Sequence, residues 1–79
     1  MLGGEIIINE FKERLFSNDE FEFSYDGVRY AVISQYGRSI FEVSNNKLLF
    51  SFDSNDDLYE NATFGGKRLK DILEKIELH

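Results

Sequence analysis

The residues with the right types and spacing to hold a metal ion lie in Asp53-Ser54-Asn55-Asp56-Asp57. Asp53, Asn55 and Asp57 match positions one, three and five of a calcium loop, where oxygen ligands alternate along the chain. The loop chemistry then fails. Position six needs the sharp turn of a Gly and holds Leu58; position twelve needs a bidentate Glu and holds Phe64. The segment reads as a solvated acidic turn that caps a helix. Gly65-Gly66-Lys67 has the look of a phosphate cradle, but a P-loop needs an earlier Gly and a Ser or Thr after the Lys, and Arg68 stands there. A reversing turn is the simpler reading.

Nucleophilic catalysis finds no constellation. There is no Cys, and the only His is His79 at the end, so neither a Ser–His nor a Cys–His pair is expected. Carboxylates are plentiful, but an acid–base pair needs a pocket that drives two pKa values apart. A chain of 79 residues has little room for both a core and such a pocket. The expectation is therefore no enzyme, no metal and no cofactor. The net charge of −6 argues against direct nucleic-acid binding, which needs a basic footprint. The charge is uneven: residues 65–79 hold four bases against three acids, so the rest of the chain is strongly acidic. Lys67, Arg68 and Lys70 form a secondary candidate contact, placed by the pattern at a helix start, where the dipole disfavours cations. The longest apolar run is Ile6-Ile7-Ile8, too short to span a membrane, and no signal peptide is expected. The absence of Cys suits a reducing cytoplasm.

The elements that would carry any site follow from periodicity. Residues 1–79 read as one domain, with a loose end over 1–4. From Glu5 to Phe16, Ile7, Phe11 and Leu15 recur every four residues beside Ile8, which predicts an amphipathic helix. The period then drops to two. Phe21, Phe23 and Tyr25 alternate with Glu20, Glu22 and Ser24, and Asp26-Gly27 is a two-residue hairpin turn. Val28 to Ser34, Ser39 to Ser44 and Lys47 to Phe52 read as three further strands, joined by turns at 35–38 and Asn45-Asn46. Symmetric turns pair Phe21 with Val32, Phe23 with Tyr30, Val32 with Phe41, Val43 with Leu48 and Phe41 with Phe50. Ser54 spaces correctly from Asp57 to cap a short helical turn over Ser54–Glu60. Leu69, Ile72, Leu73 and Ile76 predict a last helix over Lys67–Leu78. The predicted fold is α+β: a four-stranded antiparallel β-meander with an N-terminal and a C-terminal helix packed on one face.

Phe21-Glu22-Phe23-Ser24-Tyr25-Asp26-Gly27-Val28-Arg29-Tyr30 resembles an E-F-x-Y-x-G-x-x-Y hairpin. Asp57-Leu58-Tyr59-Glu60-Asn61, followed by Gly66-Lys67-Arg68-Leu69-Lys70-Asp71-Ile72, resembles a D-x-L-x-x…G-K-x-L-x-D-I ending. Together they are similar to a group of short uncharacterised proteins of Gram-positive bacteria and their phages and mobile elements. The resemblance implies an α+β fold, with no activity and no catalytic residue to carry over.

These registers put Ile33 opposite Ile40 on the face away from the helices, with Leu49 diagonal to them and Glu42 and Glu22 around them. A sheet face left to water should read polar, so three aliphatics ringed by acids predict an interaction surface for a protein partner or a homodimer. The alternative is an acidic inhibitor that mimics nucleic acid, of the kind phages and mobile elements carry, through Glu20, Glu22, Glu42, Asp53, Asp56 and Asp57.

Overall fold

The computed structural model describes residues 2–79. Helix α1 runs Leu2–Phe16, so residues 2–4, expected as a loose end, are helical; Met1 lies outside the described residues. Phe11 and Leu15 are fully buried and Ile7 and Ile8 pack against the same core, as the four-residue stripe requires. Asn18 ends the helix at φ 63°, and the Asp19 N–H donates back to the Arg14 carbonyl at 3.0 Å. Asn tolerates this left-handed cap because its side chain compensates the steric cost.

The main sheet is antiparallel and has five strands, in the order β4 (Lys47–Phe52), β3 (Arg38–Glu42), β2 (Val28–Ile33), β1 (Phe21–Tyr25) and β7 (Glu77–Leu78). Strands β1 (Phe21–Tyr25) and β2 (Val28–Ile33) pair in the register the Asp26-Gly27 turn dictates, from Tyr25 opposite Val28 to Phe21 opposite Val32. Asp26 and Gly27 both take positive φ, the signature of a type I′ turn.

Strand β3 (Arg38–Glu42) departs from expectation by one residue. Val32 faces Ile40 and Ala31 faces Phe41, so every side chain of β3 is on the opposite face from the one predicted. The connection causes the slip. Tyr36 and Gly37 both take positive φ, and a Cβ on Gly37 would collide with the Phe52 carbonyl oxygen. Only Gly allows this close approach of backbones, and the tight loop leaves Ile33, not Ser34, as the last paired residue of β2. Strand β4 (Lys47–Phe52) then pairs Ile40 with Phe50 but Phe41 with Leu48, which makes Leu49 the extra residue of a β-bulge. Val43–Asn46 forms a four-residue turn in place of the expected two-residue one, with Asn46 at φ 51°. Val43 and Leu48, expected on the core face, are 37% and 42% exposed.

Ser54 caps α2 (Asn55–Asn61), its Oγ accepting the Asp57 N–H at 3.1 Å, as its spacing predicted. The chain beyond departs again. Gly65 and Gly66, both at positive φ, turn a small hairpin of β5 (Thr63–Phe64) and β6 (Lys67–Arg68). The predicted long helix is reduced to α3 (Leu69–Ile72) and one 3₁₀ turn, Leu73–Lys75. Leu69, Ile72, Leu73 and Ile76 are buried nonetheless, since the tight turns keep their three- and four-residue spacing. The chain extends at Ile76 and Glu77–Leu78 adds β7, which pairs with β1 through Phe23 opposite Leu78.

One aromatic cluster anchors the core. Phe11 meets Phe21 and Phe23 edge-on at 5.2 and 5.5 Å, and Tyr30 and Phe64 stand 4.9 Å apart beside Phe23. T-shaped contacts of this kind add about 0.5–1.5 kcal/mol each to area burial. Among the described residues no helix is long and apolar enough to cross a membrane.

Candidate functional site

The sheet face away from the aromatic cluster begins at β1 with Glu22 and Ser24. Across β2 it continues with Arg29, Ala31 and Ile33, because alternate residues share a face. Glu22 and Arg29 form an ion pair diagonally across these strands. From Ala31 a direct cross-strand row runs to Phe41 on β3 and Leu48 on β4. Cross-strand neighbours of this kind have Cβ atoms roughly 4.5–5.5 Å apart, close enough to make one continuous apolar strip. Ile33 lies two residues along β2 from Ala31, on the same face and half-buried. A shallow hollow of about 180 Å³ opens beside the strip, with Glu20, Glu22, Ala31 and Ile33 in its walls.

The predicted site is therefore split. Ile33 and Glu22 lie on this face. Ile40 does not: it is fully buried in the core opposite Val32 and Phe50, a correction that follows from the one-residue slip. Leu49 is the bulged residue and packs against the core, so it too leaves the strip. Glu42 pairs with Tyr30 and shares its face at the end of the sheet. Burial first, then the nearby Glu42 carboxylate, pushes the Tyr30 hydroxyl above its ordinary pKa. Phe41 and Leu48 take the places expected for Ile40 and Leu49. A five-residue connection after Ile33 would have found them.

Lys67 and Arg68 are exposed on the β6 hairpin strand, and Arg68 is also the N-cap residue of α3. Lys70, on α3, is paired with Glu60 at 2.6 Å, and its ammonium lies 5.9 Å from the Tyr59 ring. Lys12 approaches the same ring from α1 at 5.4 Å. Three side chains of segment 53–57 already have partners. Ser54 caps α2, Asn55 bonds Arg38 and Asn18, and Asp57 Oδ1 accepts from Asn61 at 2.6 Å.

Arg38 is the residue whose role its sequence neighbourhood conceals. It lies on the core side of β3, opposite Phe52, only 4% exposed. Its Nε donates to Asn55 Oδ1 at 2.7 Å and its Nη1 to Ser34 Oγ at 2.8 Å. Its Nη2 donates to the carbonyls of Leu15 at 3.1 Å and Asp19 at 2.9 Å. One guanidinium thus ties the end of α1, the start of α2 and the β2–β3 loop together. Burial lowers its pKa, and the charges of Glu20 and Asp19 act the other way. No family model, no curated protein and no solved structure matches the chain.

Proposed function

We propose that this chain is a non-enzymatic protein-interaction module that meets a protein partner, or a second copy of itself, through the outer face of its sheet. The observation that supports this reading is the strip Ala31–Phe41–Leu48 with Ile33 beside it. On this reading α1 and the C-terminal turns cover one sheet face, and the other is kept apolar for a contact. A sheet face left to water should instead alternate to polar residues. The Glu22–Arg29 pair flanks the strip and supplies the polar rim that interfaces favour.

The acidic-mimic reading stands second. Its six carboxylates are spread over β1 and its lead-in, β3, and the start of α2 and its lead-in; Glu22 is paired with Arg29, and Glu20 accepts the Ser34 N–H at 2.9 Å. Competition with a basic groove would weaken steeply with salt, whereas an apolar contact would not.

Solution mass by light scattering, at low and at high salt, separates the occupants. A dimer at both salts that Phe41→Asp converts to monomer places a second copy on the strip. A dimer unmoved by Phe41→Asp places the contact elsewhere and refutes the assignment. A monomer at both salts leaves the strip for an outside partner.

A further inference from the structure

We propose that the cavity beside Arg38 is a binding site for a small, singly charged carboxylate. The cavity, about 500 Å³, lies where the α1–β1, β2–β3 and β4–α2 connections converge, and Asn18, Ser34, Arg38, Asp53, Ser54 and Asn55 are among its walls. A count of donors and acceptors points to what it takes. Asn55 Oδ1 accepts from Arg38, and Asn18 Oδ1 accepts from Asn55 Nδ2 at 2.8 Å. Ser34 Oγ accepts from Arg38, and Ser54 Oγ accepts from the Asp57 N–H. Each of these oxygens already receives a proton from the protein.

Apart from the Asp53 carboxylate, what remains are donors. A guanidinium has five N–H groups, and Arg38 uses Nε once, Nη1 once and Nη2 twice. One Nη1 N–H is left. The hydroxyl hydrogens of Ser34 and Ser54 and the Asn18 amide hydrogens have no acceptor among the described residues. A cavity whose lining amides and hydroxyls offer donors suits a ligand that only accepts, and an ionised carboxylate is acceptor-only.

Charge agrees. Every acceptor of Arg38 is neutral, and the ion pairs among the described residues join Glu10 to Arg14, Glu22 to Arg29 and Glu60 to Lys70. Arg38 is a buried cation that feels the charges of Glu20 and Asp19 but makes no ion pair with a carboxylate among the described residues, and a bound anion would supply one. Asp53 in the cavity wall decides the charge of that anion, because its carboxylate repels a dianionic phosphate more than a monoanion.

Removing Arg38 would confound binding with folding, so the test uses other variants. Amide resonances are followed by NMR while acetate replaces chloride at constant ionic strength. Saturable shifts at Ser34, Gly37, Arg38, Ser54 and Asn55 are expected. Asp53→Asn should tighten acetate several-fold and admit inorganic phosphate; this gain is one that a loosened fold would not produce. Ser34→Ala should weaken acetate several-fold with the far-ultraviolet spectrum unchanged. Tighter binding of acetylglycine than of acetate would assign the carboxylate to a chain end, and equal or weaker binding to a free organic acid. Shifts that grow linearly with acetate, or match those in chloride, would overturn the proposal. So would an Asp53→Asn protein that binds acetate no more tightly.

Discussion

Replacing Arg38 by methionine keeps most of the side-chain volume and removes every donor. Three acceptors lose their partner, the Asp19 carbonyl, Ser34 Oγ and Asn55 Oδ1, while the Leu15 carbonyl keeps the Asn18 N–H at 3.1 Å. The Asp19 carbonyl is partly buried. An acceptor stranded without a donor costs about 1–3 kcal/mol. Ser34 and Asn55 line an open cavity and can turn to water, so they add little. Relief of the guanidinium's desolvation offsets part of the loss. The net expectation is a destabilisation of about 2 kcal/mol, from a total that for small domains is roughly 5–15 kcal/mol. At about 4–8 °C per kcal/mol for a domain of this size, Tm should fall by roughly 8–16 °C. Arg38→Lys keeps a charge but not the fork, and should lose about half as much. Paired urea and thermal unfolding curves give the answer. An Arg38→Met protein within about 1 kcal/mol of the parent would mean the guanidinium does not hold α1, β3 and α2 together, and the reasoning would fail.

Neighbouring substitutions on β3 should behave in opposite ways. Ile40→Asp places a charge in a fully buried site and should unfold the chain, at a cost above about 4 kcal/mol, whereas Phe41→Asp should leave the circular dichroism spectrum and Tm nearly unchanged. The reverse pattern would restore the originally expected register. Gly37→Ala combines a positive φ of 87° with a collision on the Phe52 carbonyl, and should cost about 2 kcal/mol or more by urea titration. Ser54→Ala removes the α2 cap and should cost about 1 kcal/mol by the same assay. Tyr30, whose pKa lies above the ordinary 10.0, stabilises the fold fully below that pH. Its contribution should fade as pH rises from there through the folded value. Tyr30→Phe should flatten that alkaline loss of stability in a pH series of melts; an unchanged slope would assign the loss to other groups.

The parts legible from sequence were those fixed by local chemistry. The helical stripe of Phe11 and Leu15, the Asp26-Gly27 turn with its register, and the Ser54 cap each depend on residues close in the chain. The strip was hidden because β3 and β4 are apolar on both faces. Ile40-Phe41 and Leu48-Leu49-Phe50 satisfy either alternation, so the pattern could not arbitrate a one-residue slip. The deciding contact, Gly37 against the Phe52 carbonyl, joins residues that the sequence separates by a whole hairpin. Arg38 reads as a polar turn residue until the end of α1 is brought over it. The C-terminal segment misled for a similar reason. Its buried spacing suits a helix, but pairing with the β1 edge competes for Glu77 and Leu78 and wins.

The measurement that bears most directly on the outer strip is photo-cross-linking in living cells. A photoreactive amino acid is placed at Phe41, and in a second version of the protein at Asp56, on the exposed acidic start of α2. The apolar-strip reading predicts a discrete protein adduct, to a partner or to a second copy, from Phe41 and none from Asp56. Adducts from Asp56 alone would transfer the contact to the acidic surface and contradict it.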